Sequence, residues 1–163
     1  MATGLGYAPV MWITSAIQAM WSDTLLLAER AALVRMAIWG AGCVVAGSVI
    51  LAFLAVRRLR SALLDGFAIQ TTVWGAIALA RVVEGMGQLE PRDLAAAGQL
   101  NHWVWFLTGL DVGLIAVGVT LAIAAWRWGH RLGVVGAGIA LAVQGAGLLT
   151  LDARFVTLLT RLV

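Results

Sequence analysis

Asp111 is the only acidic residue set well inside a long apolar run, one that begins near Trp103 and ends near Ala125. An ionisable side chain at the centre of a bilayer costs about 2.5–3.5 kcal/mol even on the gentlest insertion scale, so it faces protein or a watery pathway. Other polar side chains share that setting. Gln70 sits with Thr71 and Thr72 in the middle of one apolar run, Gln144 lies inside another, and Asp65 stands near a run's start. Counted from the same end, Asp111 is about nine residues deep, and Gln144 and Trp74 are each about seven. At about 1.5 Å per residue these three lie within roughly 3 Å of one another in depth. An amide and an indole N–H at that level are the expected partners for the carboxyl. Asp111, Gln144, Gln70, Trp74 and Asp65 are therefore the candidate binding residues. Their chemistry is that of interhelical hydrogen bonds or of a path for a proton, an ion or a small solute.

Other chemistries lack their residues. His102 and His130 are about 40 Å apart if one helix joins them, too far to share a haem or a metal. Cys43 is the single cysteine, so there is neither an internal disulfide nor a CxxC pair for thiol exchange. GxSxG, HExxH and phosphate-loop patterns are absent. The reading is a non-catalytic chain with no metal and no cofactor. All 11 cations among Lys and Arg are Arg, scattered at the ends of apolar runs and not gathered into a phosphate-binding face, so nucleic acid is not an expected partner.

The elements that position these residues follow from composition. Of 163 residues, 62% are hydrophobic and only 12% charged, about half the charge of a soluble domain, with a mean hydropathy of +0.96. Such a chain cannot coat a water-facing surface, and its solvent is the lipid bilayer. Four runs approach the roughly 20 residues needed to cross about 30 Å of hydrocarbon. They fall at 36–56, 62–80, 103–125 and 132–151. Arg57-Arg58-Leu59-Arg60 and Arg127-Trp128-Gly129-His130-Arg131 are short connections, each joining antiparallel neighbours, while 81–102 is a longer connection of mixed charge.

Before the first span, residues 1–35 form an N-terminal arm, in which Val10, Ile13, Ile17, Met20 and Trp21 recur at helical spacing opposite Ser15, Gln18 and Ser22. That pattern predicts an amphipathic helix lying in the interface, with a fifth span as the alternative. Residues 152–163 form a short apolar tail. Met1–Gly4 carries no positive charge, so a cleaved signal is not expected. The arginines of the two tight loops place those loops in the cytoplasm and both termini in the periplasm by the positive-inside rule. The Arg-only, Ala- and Gly-rich composition suits a GC-rich bacterial genome, hence a bacterial inner-membrane location.

Two patterns bear on packing. Gly109-x-x-x-Gly113 permits close helix approach. Sliding the chain by 70 positions overlays Arg57 on Arg127, Gly66 on Gly136, Val73 on Val143, Gly75-Ala76 on Gly145-Ala146 and Leu79 on Leu149. The expected fold is an all-α four-helix transmembrane bundle of two repeated hairpins, with Gly75 and Gly145 at matching helix contacts. Contact features without catalytic ones point first to an accessory or assembly subunit of a larger membrane complex, respiratory or photosynthetic in type. Its partners would be other membrane subunits or a second copy. The alternative is a small channel or transporter, possible as a homo-oligomer, with a polar midplane site.

Overall fold

The computed structural model describes residues 8–162, without the side chains of residues 8–17, 94 and 161–162. The Val10, Ile13 and Ile17 positions of the expected amphipathic face therefore lie outside the described side chains, as does Met1–Gly4 outside the described chain. Four helices run α1 (Ala8–Arg57), α2 (Ala62–Gly87), α3 (Leu94–Arg127) and α4 (Leu132–Leu162). Each is long and apolar enough to cross a membrane.

Local chemistry sets the boundaries. The Ser61 side chain caps α2 by accepting from Leu64 N, and Asp93 caps α3 by accepting from Ala96 N at 2.8 Å. The two tight loops turn through left-handed backbone, at Arg58 (φ 51) in the first and at Gly129 (φ 136) and His130 (φ 49) in the second. These loops form one end of the bundle, the hairpin end. The start of α1, the end of α4 and the connection of residues 88–93 form the other, the terminal end.

The helices outrun the apolar stretches that mark them in the sequence. Residues 8–57 are one helix where the sequence suggests a separate arm. No Gly or Pro interrupts Val10 to Trp39, so nothing breaks the hydrogen-bond ladder. Leu25 in that stretch is fully buried against Ala97 and Val104 of α3 and Phe155, Val156 and Leu159 of α4. The expected tail is likewise a continuation of α4, and the middle connection shrinks to residues 88–93. Helix formation follows backbone hydrogen bonding and propensity, whereas a hydropathy window stops at the first charges.

The packing order is α1, α2, α4, α3, with α2 and α4 at the centre; the α3 backbone approaches only that of α4. Glycines set the closest approaches. Gly66 of α2 faces the Gly133 carbonyl of α4, and Gly136 of α4 faces the Leu63 carbonyl of α2. A Cβ at either position would collide with backbone. Within the hairpins, Gly75 lies against Gly40 O and Val44 N, and Gly145 lies against Asp111 O and Ile115 N. Gly47 meets Ala68 and Thr72, and Gly118 meets Gly138 and Ala142. These contacts correspond at a shift of 70 positions between α2 and α4 but of 71 between α1 and α3, one more than the sequence overlay uses.

Candidate functional site

Asp111, Gln144, Glu29 and Asp152 are the buried polar residues among those described. Asp111 stands midway along α3 at 4% exposure, and Asp152 is 8% exposed on α4. The two carboxyls interact directly, side chain to side chain, and Arg81 of α2 acts on both as the nearby positive charge. Asp111 Oδ2 is buried with no donor to satisfy it. Two carboxylates offer only acceptors, so their contact becomes a hydrogen bond only when one of them carries a proton. Chemically the pair can hold a proton or offer oxygens to a small cation.

Asp152 and Arg81 form part of the wall of a cavity of about 330 Å3 at the terminal end of the bundle, together with Glu84, Gln88 and Trp103. Glu29 of α1 and Arg92 of the 88–93 connection complete its charged rim. Those two are joined as a fork: Arg92 Nη2 donates to Glu29 Oε1 at 2.8 Å and Nε to Oε2 at 3.2 Å. Such bidentate pairing fixes orientation as well as charge. With Glu29 neutralised by Arg92, the acids Asp111, Asp152 and Glu84 outnumber Arg81, which favours a cationic guest. Among the described residues no three His, Cys, Asp or Glu side chains gather as a metal site.

The residues singled out from sequence divide. Asp111 turns into the bundle but takes Asp152 as its neighbour, not Gln144 or Trp74. Gly145 contacts α3 at Asp111, so Gln144 is at the expected level. Adjacent helix positions differ by about 100° in direction, however. Gln144 therefore faces α1, where its Oε1 accepts from the Cys43 thiol at 3.3 Å. Trp74 and Gln70 are half-buried on α2. Thr71 and Thr72 donate back to Phe67 O and Ala68 O of their own helix. Asp65 lies beside Arg58 and Arg60 in a surface hollow at the hairpin end. Gly75 and Gly145 are at helix contacts as described above, whereas Gly109 and Gly113 have no neighbour within 4 Å.

Arg81 and Asp152 escape the sequence reading because each lies one residue past a predicted span and so resembles an interfacial anchor. Their signal is that both fall at the same end as Asp111's shallower side.

No curated protein and no solved structure matches this chain. A family model does, and it covers residues 35–153, which include Arg81, Asp111, Gln144 and Asp152. The chain belongs to that family, a family of unknown function designated DUF6992.

Proposed function

We propose that this chain is a multi-pass membrane protein that admits a proton or small cation from its terminal end to Asp111 and Asp152. The reading rests on one observation: two buried carboxyls in direct contact near Arg81, one of which, Asp152, lines a charged cavity shared by all four helices. Buried acids in a lipid-embedded bundle are costly, and relay or transport sites are where that cost is met. The site handles its guest without a chemical step. Both hairpin loops face the cytoplasm of a bacterial inner membrane and the cavity opens to the periplasm, as the loop arginines suggest. The two hairpins are read as copies of one unit, supported by the matching glycine contacts. Since Gly40 occupies the place of Asp111 in the first copy, only the second carries the acid.

Proteoliposomes loaded with a pH-sensitive dye, or with a cation indicator under an imposed gradient, test this. Wild-type vesicles should show flux that Asp111→Asn and Asp152→Asn each reduce at least tenfold, about 1.4 kcal/mol in barrier terms. Wild-type vesicles as tight as empty ones would overturn it.

A second reading, the accessory subunit, has its own support on α3. Gly109, Gly113, Ala116 and Thr120 form an exposed stripe of small residues, the surface a neighbouring transmembrane helix packs against. Purification in mild detergent should then yield a stable complex with another membrane subunit, disrupted by Gly113→Leu. A clean monomer or homo-oligomer with no other partner counts against it.

A further inference from the structure

A second cavity, of about 510 Å3, lies between α1, α2 and α4; Asp111 and Asp152 do not line it. Its α1 wall is a row at one-turn spacing, Arg35, Trp39 and Cys43, and its α4 wall includes Gln144 and Leu151. Arg35 Nε and Nη2, Trp39 Nε1 and Gln144 Nε2 are all buried without a hydrogen-bond partner. Gln144 is 2% exposed, and its carbonyl is already engaged by the Cys43 thiol. Every unmet group is a donor, and Arg35 has no carboxylate within ion-pair distance among the described residues. Buried donors left unpaired are costly, so this arrangement suits an acceptor-rich, negatively charged guest.

The order of chemistry along the cavity defines that guest further. Arg35 lies about 33 Å along α1 from Arg57 at about 1.5 Å per residue, so with the hairpin loops at one interface it reaches the opposite headgroup layer. Trp39 and Gln144 follow toward the hairpin end as neutral donors. Around and beyond them the lining is mostly apolar, with Gly42, Ala46, Phe67 and Val143, and the Thr71 hydroxyl is turned back onto Phe67 O. A Cβ at Gly42 would meet nothing within 4 Å, so the groove is open there, and Gly147 leaves room for the Trp39 ring to lie flat against α4. A cation, then two neutral donors, then apolar wall is the sequence of groups that complements a phosphate, its ester oxygens and an acyl chain. We infer that this groove binds one phosphate-headed lipid, with its phosphate on Arg35, its ester region at Trp39 and Gln144, and a chain along Gly42 and Ala46.

The full chain, purified in detergent and incubated with dioleoylphosphatidylglycerol, should retain one lipid per protein by native mass spectrometry. Dioleoylglycerol, which lacks the phosphate, should not be retained, and millimolar inorganic phosphate, which lacks the chain, should not displace the lipid. Arg35→Gln should weaken retention at least about tenfold, the worth of a charged hydrogen bond. Arg30→Gln, at an exposed arginine of the same helix, should leave it unchanged. Gly42→Leu fills open space and not a helix contact, so it should keep the wild-type melting temperature while abolishing retention. Wild-type retention by Arg35→Gln or by folded Gly42→Leu would overturn the inference, as would equal retention of dioleoylglycerol, displacement by phosphate, or loss on Arg30→Gln.

Discussion

Asp111 and Asp152 meet because α3 and α4 run antiparallel. A side chain on a helix leans toward that helix's N-terminus. Asp111 on α3 therefore leans toward the terminal end, and Asp152 on α4 leans back toward the hairpin end. Gly145, on the same α4 face as Asp152 and two turns earlier, draws the two backbones together at Asp111 O. The glycine sets the spacing and the helix directions set the convergence.

That geometry makes the two acids one functional unit. The double variant Asp111→Asn/Asp152→Asn should show no greater loss of flux than the worse single variant, because removing either carboxyl already removes the pair. Its stability should change little. Side-chain hydrogen bonds between membrane helices average about 0.6 kcal/mol, so each single substitution should cost less than about 1 kcal/mol in denaturant titrations. Additive flux losses would mean two independent sites.

The glycines make opposite predictions by position. Gly136→Ala places a methyl against the Leu63 carbonyl, and Gly66→Ala against that of Gly133. Backbone cannot yield as a flexible side chain does, so each should destabilise by about 2 kcal/mol or more. Gly109→Ala meets open space and gains helix propensity, so it should change the stability of the isolated chain by less than about 1 kcal/mol. Thermal unfolding in one detergent compares all three.

Breaking the Glu29–Arg92 fork should loosen the terminal end first. Its side chains are 11% and 28% exposed, so it is partly shielded from water and its loss in Arg92→Gln should cost about 1–2 kcal/mol. Limited proteolysis should then cut within residues 88–93 faster than in wild type, while cleavage at residues 128–131 stays unchanged. Restored protection in the exchanged pair Glu29→Arg/Arg92→Glu would assign the effect to the ion pair itself.

Orientation is testable apart from any activity. A reporter fused after Val163 should read as periplasmic, and cysteines placed at Leu59 and Trp128 should be labelled only from the cytoplasmic side. The opposite labelling pattern would reverse the bundle and turn the cavity of Asp152 toward the cytoplasm.

Much of the architecture is legible in the sequence for physical reasons. Four apolar runs and two short arginine-bearing loops leave few alternatives to four antiparallel helices, and an acid among apolar neighbours must turn inward. What hydropathy cannot convey is where a helix stops. Leu25 and Leu159 lie in stretches interrupted by Glu29 and Arg154, and their burial against each other depends on two chain ends meeting in space. Nor does depth along a helix give direction around it. Gln144 and Asp111 share a level, yet a single helix position separates a side chain facing α1 from one facing α3. Arg81 and Asp152 are the costliest omission, since the charges that end a hydropathy window were the ones completing the site.

The tight crossing of α2 and α4 has a mechanical consequence. Around Gly66, Gly133 and Gly136 the two hairpins touch backbone to backbone. This contact lies near the hairpin end, and Arg81 stands about 22 Å along α2 from Gly66. The hairpins thus resemble the blades of a pair of shears with their rivet near one tip. A rotation of about 5° at the rivet displaces the far tips by about 2 Å over that lever arm. At those tips side chains hold the hairpins together, Leu25 clustered with Phe155 and Leu159, and Met36 and Val82 with Leu148, so a pivot must part these contacts before it wets the carboxyl pair.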